Sequence, residues 1–219
     1  MANKIHNIIV APEMQYMQTT LHRYTFSNKR IRAWVEENCT GLVLNLFAGE
    51  TRLNVNEVRN DLREDAVADF HKDALCFVTE WNGDKFDTVV LDPPYSYRKS
   101  MEMYAGKVTS PFNALKDGVC KILRDGGAVI TFGYHSVSMG KKRGFVAEKI
   151  LLMSHGGAIH DTIAVKEIKT GAKDNNALQG RSASPALLDE LDEILATGCG
   201  ILGKIGRLKE IARQLRAGA

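Results

Sequence analysis

Short apolar runs recur along most of the chain before residue 170, and each ends at glycine, proline or a cluster of polar residues. Runs of this length predict buried strands, and the polar residues between them predict turns. The predicted strands are residues 41–47, 55–61, 86–91 and 128–132. Residues 145–154 and 162–168 are further extended segments, and the glycine-containing turn between them predicts an antiparallel pair at a sheet edge.

Helical patterns lie between some of these runs. Residues 111–123 carry apolar side chains at helical spacing between the strands 86–91 and 128–132, which predicts a strand-helix-strand unit with parallel strands. An earlier helix is expected shortly before the first strand, with Ser27 or Asn28 as its N-cap. The alternation of strands and helices therefore predicts an α/β fold with a mostly parallel sheet.

The amino-acid composition changes after residue 168. Residues 169–184 are rich in glycine, asparagine and serine, which predicts a flexible linker. Residues 185–219 show two amphipathic helical patterns, the second of them basic, which predicts a helical hairpin. We therefore expect one catalytic domain over residues 1–168 and a helical appendage that could pair two copies of the chain in a homodimer.

Composition narrows the class of protein. The 219 residues are 44% hydrophobic and 25% charged, as in an ordinary globular protein, and the formal net charge is +3. No run approaches the length of a membrane span and the first residues do not resemble a leader, so we expect a cytoplasmic protein without membrane contact. The four cysteines are widely separated and form no pair at zinc-site spacing, so no metal is expected.

The segment Asp92-Pro93-Pro94-Tyr95 directly follows the predicted strand 86–91. Proline and aspartate commonly end strands, so a plain turn would explain it. Its position favours chemistry, because ligands of open parallel sheets bind at the carboxyl ends of strands. A carboxylate and a backbone carbonyl held outward by the two prolines could accept both hydrogens of an amino group, and an aromatic ring could stack on a base.

These residues resemble the catalytic motif of class I S-adenosylmethionine-dependent amino-methyltransferases, in particular the N6-adenine DNA methyltransferases. The resemblance implies a Rossmann-like fold with a mostly parallel seven-stranded sheet and an antiparallel terminal strand. It also implies S-adenosylmethionine as cofactor, DNA as partner, and Asp92, Pro93, Pro94 and Tyr95 as catalytic residues.

The same resemblance implies a set of cofactor contacts along the chain. A loop after the first strand would pass under the cofactor, an acid after the second would bind ribose hydroxyls, and an aspartate with a small neighbour would face the adenine. A segment before the first strand would contact the methionine carboxylate, and Glu57 is the second choice for the ribose acid. The implied cofactor-binding residues are Thr25, Phe26, Phe47, Ala48, Gly49, Glu50, Asp61, Asp73, Ala74 and Asp92.

The chain departs from this family pattern between Gly49 and Asp61. Only twelve residue steps separate them, whereas a crossover with its helix usually needs a dozen residues before the next strand begins. The helix after the first strand is therefore expected to be very short or missing. Thr51 also stands where the family usually has a second glycine.

Two basic segments are candidates for nucleic-acid contact. After the catalytic motif, Tyr97, Arg98, Lys99 and Lys107 mix cations with an aromatic ring, as suits phosphate contact and base stacking, although a solvent loop would look the same. Lys141, Lys142 and Arg143 are three adjacent cations expected on the catalytic side of the sheet, with a solvated charge run as the alternative.

The residues leave several functions open. The same motif and fold would serve an RNA methyltransferase acting on adenine or guanine, or an enzyme acting on the cytosine amino group. A non-catalytic nucleic-acid-binding module on a methyltransferase fold is the alternative from another class, and the short cofactor loop is its best support.

Overall fold

The computed structural model describes residues 11–20, 22, 24–94, 112–157 and 160–170. The chain divides into two units, Met1–Ala172 and Lys173–Ala219. The predicted linker and helical hairpin, and with them any dimer through the hairpin, lie outside the described residues apart from the start of the linker.

Seven strands form a single sheet. They are β1 Glu13–Gln18, β2 Val43–Asn45, β3 Glu57–Arg59, β4 Phe86–Leu91, β5 Leu123–Gly133, β6 Phe145–Ser154 and β7 Thr162–Lys169. Their order across the sheet is β1-β6-β7-β5-β4-β2-β3. Strand β7 runs antiparallel to both of its neighbours, and every other neighbouring pair is parallel. The predicted α/β fold class, a mostly parallel Rossmann-like sheet of seven strands with an antiparallel last strand, is confirmed.

Helices cover both faces of this sheet. They are α1 Lys29–Asn38, α2 Ala74–Glu80 and α3 Phe112–Ile122. Helix α1 packs its buried Ile31 and Trp34 in one hydrophobic cluster with residues such as Val90 and Ile130. Helices α2 and α3 pack on the opposite face, in a second cluster that contains Val89. Val89 and Val90 of β4 therefore point into different cores, which explains the continuous apolar run at residues 89–91.

Within the described residues the predicted strands and helices are present, with β2 and β3 shorter than predicted and one error at the sheet edge. The pair β6 and β7 is antiparallel as predicted, but β7 lies inside the sheet and β6 is covered by β1. Strand β1 was not predicted because its exposed positions include Met14 and Tyr16 while the polar Gln15 is half-buried. Gln15 accepts a hydrogen bond from the Trp34 indole at 2.5 Å, which explains a polar residue on the inner side.

The turn predicted at 125–127 is a bulge within a longer strand. The ladder pairs Phe86 with Leu123 and then Thr88 with Ala128, so residues 124–127 stand outside the regular register. Gly126 takes a positive φ of 78° there, a conformation that suits glycine. The strand after the bulge matches the predicted 128–132 closely.

The third strand implied by the resemblance is almost absent. After β3 the chain returns to form one isolated parallel bridge between Asn60 and Phe70, and α2 then starts at Ala74. The seventh strand of the sheet is therefore β1 at the far edge. Among the described residues, no helix is long and apolar enough to cross a membrane.

Candidate active site

The predicted catalytic motif directly follows β4, at the strand end where the sequence predicts it. Asp92, Pro93 and Pro94 are half-buried, and Tyr95 lies outside the described residues. Strands β2, β3, β4 and β5 run parallel, so the segments that follow them meet at one edge of the sheet. The motif therefore shares an edge with the predicted cofactor loop, residues 46–50.

A cleft of about 320 Å³ opens beside the motif. Its walls come from the motif, the start of α3, the end of β5 and the segment that follows it. Flat apolar groups dominate the lining: Phe47, Pro93, Pro94, Phe112, Phe132 and Tyr134. Such surfaces suit the faces of an aromatic heterocycle, which stacks on rings and prolines without needing hydrogen bonds there.

The cleft also holds a few polar groups. Thr131 Oγ1 and Ser138 Oγ are buried and have no hydrogen-bond partner among the described residues. Lys116 Nζ donates to the Ser138 carbonyl oxygen at 3.0 Å and lies 5.1 Å from the centroid of the Phe112 ring. Burial, with a smaller contribution from the charge of Arg143, lowers the pKa of the Lys116 ammonium. A ligand in the cleft would therefore meet a mostly apolar surface.

A second, much smaller cavity adjoins the cleft. Its volume of about 20 Å³ is of the order of one water molecule. It is lined by Leu46, Phe47, Asn60, Leu62, Asp73, Ala74 and Pro94. Phe47 and Pro94 line both the cleft and the cavity, so the predicted cofactor region lies next to the cleft.

The predicted cofactor loop is tied to the end of β3. Ala48 N donates to the Asn60 carbonyl at 3.0 Å, and Gly49 N donates to Asp61 Oδ2 at 2.9 Å. Gly49 has a φ of 56°, which a residue with a side chain adopts only with strain. These contacts hold the loop in a tight turn against Asn60 and Asp61, the two residues that follow β3.

Asp61 has a contact other than the one implied by the resemblance. Its second oxygen, Oδ1, accepts from Arg63 N at 2.9 Å, and the residue is only 1% exposed. It does not line the small cavity, whereas its neighbours Asn60 and Leu62 do. In this structure the Asp61 carboxylate binds the backbone of the loop at Gly49 and so fixes the loop to the end of β3. Glu57, the second choice, is also internal because it pairs with Arg59 at 2.7 Å.

Glu50, in the loop, is more accessible than Asp61. Its carboxylate forms an ion pair with Arg63, and its side chain keeps 37% of its exposure. Arg63 Nη1 also lies 3.2 Å from the Tyr24 hydroxyl, and its guanidinium carbon is 5.6 Å from the Tyr24 ring centroid. Tyr24 and Arg63 were not predicted, because both depend on segments far apart in the sequence that meet only in the fold.

Asp73 and Ala74 line the small cavity, and their contact with a cofactor stays a prediction. Asp73 is also the N-cap of α2, and its Oδ1 accepts from Leu75 N at 3.0 Å and from Cys76 N at 3.2 Å. The capping contacts fix the Asp73 carboxylate at the cavity wall.

The segment before α1 is partly structural. Thr25–Ser27 forms a short 3-10 turn, and Thr25 is half-buried. Phe26 is 3% exposed and packs edge-on against Phe132, with 5.6 Å between ring centroids. The Phe26 ring therefore supports a wall of the cleft from behind.

The three adjacent cations are not on the catalytic side, which corrects the prediction. Lys141–Arg143 forms a 3-10 turn immediately before β6, and Phe145 pairs with Lys169 at the end of β7. At that end of β7, Ile168 pairs with Ala128 near the amino end of β5. Because β5 and β6 both run antiparallel to β7, they run in the same direction, and their amino ends lie at the same end of the strands. The turn before β6 therefore lies at the end of the sheet opposite the motif, which follows the carboxyl end of β4. Arg143 is also engaged in an ion pair with Asp117 at 2.6 Å.

Four predicted nucleic-acid contacts, Tyr97, Arg98, Lys99 and Lys107, lie outside the described residues. Within the described part of the chain, no group of three or more histidine, cysteine, aspartate or glutamate side chains could hold a metal ion.

Comparison with known proteins finds no matching family model and no matching curated relative. Among solved structures, TrmN from Thermus thermophilus is 15% identical with a TM-score of 0.45, over 64% of this chain and 47% of that protein. N-methyltransferase NodS from Bradyrhizobium japonicum is 12% identical with a TM-score of 0.48, over 69% of this chain and 100% of that protein. NSun6 from Pyrococcus horikoshii is 12% identical with a TM-score of 0.45, over 70% and 57%. The chain thus spans about half the length of TrmN, and similarity at this level is too low to carry an argument about function.

Proposed function

We propose that the chain is an S-adenosylmethionine-dependent methyltransferase that methylates the N6 amino group of adenine in DNA. One observation carries this proposal. The segment 92–94 stands at the carboxyl end of β4, and its Pro94 lines both the large cleft and the small cavity by the loop 46–50. A methyl donor on one side and an amino group on the other would meet at the motif.

The residues around the small cavity fit the adenosine part of the cofactor in type and order. Phe47 offers an apolar face, Asp73 a carboxylate and Ala74 a small side chain at the cavity wall, and Glu50 is the more exposed acid for hydroxyl groups. The volume of about 20 Å³ must increase for adenine to enter. Because the loop backbone is held by Asn60 and Asp61, the enlargement would come from side chains that line the cavity, such as Phe47 and Leu62. The bound cofactor would supply an electrophilic methyl group on a sulfonium.

The cleft fits the acceptor base. An adenine turned out of a helix would lie between its flat walls, with its amino group toward the Asp92 carboxylate and the Pro93 carbonyl. Hydrogen bonds to both amino hydrogens would localise the nitrogen lone pair and make the nitrogen a better nucleophile. Tyr95 would stack on the base. Asp92 and Pro93 would thus hold the amino nitrogen toward the methyl group that the cofactor would supply.

DNA is proposed as the partner on the strength of the base-sized cleft and the mixed cationic and aromatic side chains between residues 97 and 107. Lys141, Lys142 and Arg143 have no part in this proposal, because they lie at the opposite sheet edge.

A direct assay separates the candidate substrates. The purified chain is incubated with methyl-labelled cofactor and, in parallel, with duplex DNA, single-stranded DNA, RNA of matched sequence and free nucleotides. We expect label in DNA, and nuclease digestion followed by mass spectrometry should identify N6-methyladenine. Label confined to RNA would replace DNA as the polymer, and label in no arm would reject the proposed activity.

A substitution tests the role of the motif. We expect Asp92→Ala to lower the single-turnover rate by at least about 100-fold, the scale of losing one group that stabilises developing charge. The dissociation constant of the cofactor, measured by calorimetry, should change little. Asp84→Ala is the matched control, since Asp84 is exposed and lies away from the motif. Equal losses of rate and cofactor affinity in Asp92→Ala would contradict this division of roles.

A further inference from the structure

The connection between β2 and β3 is unusual because it crosses between parallel strands without a helix. Residues 46–56 form no α-helix or 3-10 helix in the structure, only a turn at 46–47 and bends. A helix would satisfy the backbone N–H and C=O groups of such a crossover internally, so its absence leaves many polar groups that need other partners. Those partners come from the side chains of β3 and the residues just after it.

Arg59 is the largest contributor. It is 0% exposed, and its guanidinium has five N–H donors, each of which can be assigned a hydrogen bond. Nη2 donates to the carbonyl oxygens of Ala48 and Gly49, each at 3.1 Å, and Nη1 donates to the carbonyl of Thr51 at 2.9 Å. The remaining bonds run from Nε to the Val67 carbonyl at 2.5 Å and from Nη1 to Glu57 Oε1 at 2.7 Å.

The acid beside Arg59 continues the same network. Glu57 Oε1 also accepts from Leu53 N at 3.1 Å, and Glu57 Oε2 accepts from the Asn45 side chain at 3.3 Å. The Glu57 side chain is only 3% exposed, so the pair with Arg59 is shielded from water. Buried charges of this kind are tolerated when they are paired and fully hydrogen-bonded, as both are here.

We propose that Arg59 is the positioning residue of the cofactor loop, and that its guanidinium does for residues 48–51 what the missing helix would do. The inference rests on the proposed function for its cofactor, although the contacts themselves do not depend on it. Three carbonyls, those of Ala48 and Gly49 in the loop and of Thr51 just after it, accept from one planar guanidinium that cannot lose its charge. The loop is therefore held in one conformation before ligand binds. A preordered loop binds its ligand without the entropic cost of becoming ordered.

The test is Arg59→Lys. A lysine ammonium has three donors and no fork, so at least two of the five acceptors lose their bond. We expect the amides of residues 46–53 to exchange hydrogen for deuterium at least about tenfold faster in the free protein. The dissociation constant of S-adenosylmethionine should rise by about tenfold, while the rate at saturating cofactor stays within about twofold of the wild type.

Two controls separate positioning from general loss of stability. Arg124→Lys makes the same change at an exposed arginine that pairs only with Asp87 among the described residues, and it should alter neither readout. Val165→Ala lowers stability from the core of β7, far along the sheet from the loop. If Val165→Ala, at an equal loss of Tm, speeds exchange of the loop and weakens cofactor binding as much as Arg59→Lys does, the positioning role is wrong.

A second variant keeps the test decisive if Arg59→Lys does not fold. Glu57→Gln removes the negative charge that pairs with Arg59 and leaves the four backbone carbonyls that accept from Arg59. We therefore expect faster loop exchange and weaker cofactor binding, each by less than in Arg59→Lys. Unchanged loop exchange in the variant that folds overturns the proposal. If the wild-type chain binds no S-adenosylmethionine, the proposed function fails, and the exchange measurement still decides the role of Arg59.

Discussion

At the scale of single residues, one buried carboxylate on β7 holds a wall of the cleft. Glu167 is 2% exposed, and its Oε2 accepts from Ser138 N at 3.1 Å and from Met139 N at 2.7 Å. Its Oε1 accepts from Gly140 N at 2.9 Å. A strand residue thus fixes the segment that follows β5, and that segment includes Ser138 at the wall of the cleft.

We expect Glu167→Gln to weaken this wall. An amide has one acceptor oxygen, so its nitrogen would face at least one backbone N–H, and a buried unsatisfied donor costs about 1–3 kcal/mol. The free energy of unfolding in urea should fall by about that amount. If the cleft binds DNA, the KM for DNA should rise while the dissociation constant of the cofactor is unchanged.

Glu13→Gln is the matched control, because the Glu13 side chain is 54% exposed and lies 3.6 Å from Lys149, whose side chain is 29% exposed. An exposed pair contributes about 1 kcal/mol or less, so this variant should stay close to the wild type. Equal destabilisation by the two changes would show that the three backbone contacts of Glu167 contribute little.

The sequence points to Asp92 as a candidate catalytic residue but to neither Arg59 nor Glu167 as a structural one. Asp92 belongs to a short motif whose neighbouring residues are proposed to carry the chemistry. The partners of Arg59 and Glu167 are backbone groups brought close by the fold, 27 to 29 positions away for Glu167. Two features of the sequence could have indicated these residues. Glu167 is a charged residue within an apolar strand, between Val165 and Ile168. Glu57 and Arg59 carry opposite charges two residues apart in a predicted strand.

At the scale of elements, the start of α1 links three parts of the fold. Asn28 is the N-cap, as predicted, and its Oδ1 accepts from Arg30 N at 3.0 Å and from Ile31 N at 3.4 Å. Its Nδ2 donates to Thr19 Oγ1 at 2.6 Å and to the Thr20 carbonyl at 3.3 Å. One side chain therefore both caps the helix and anchors the segment that follows β1.

We expect Asn28→Ala to lower the free energy of unfolding by about 2 kcal/mol, from the lost cap and the lost donor to a partly buried carbonyl. Ser27→Ala is the control, since Ser27 is exposed and its hydroxyl donates only to the Tyr24 carbonyl among the described residues. Thermal unfolding of the two variants gives the comparison. A Tm for Asn28→Ala equal to that of Ser27→Ala would contradict the double role.

Element lengths were predicted best where packing alone decides them. Strand β4 matches its predicted bounds because both of its faces are buried and its apolar run ends at Asp92. Strands β2 and β3 have only three residues each, although longer runs were predicted. The chain leaves the ladder early there because the crossover has no helix and its backbone bonds to the side chains of Arg59, Asn60 and Asp61.

At the scale of the whole sheet, the two halves differ in how they are held. Strands β5, β6 and β7 have 11, 10 and 8 residues and share long ladders. The half that carries the predicted cofactor loop has two strands of three residues, supported by side-chain hydrogen bonds to loop backbone. Because backbone ladders buried on both faces open only with global unfolding, the two halves should differ in local stability.

We therefore expect hydrogen exchange to be uneven across the sheet. Amides of residues 128–132 and 163–168 should exchange only through global unfolding, with a strong dependence on urea. Amides of residues 43–61 should exchange through a smaller opening, at a free energy lower by about 2 kcal/mol or more and with a weaker dependence on urea. Mass spectrometry of peptides from the two regions at several urea concentrations makes the measurement. S-adenosylmethionine, if it binds the loop, should raise protection in the second region first, because that opening breaks the cofactor contacts. Equal free energies and equal urea slopes in both regions would show that the Arg59 and Glu57 network makes the short strands as stable as the long ladders.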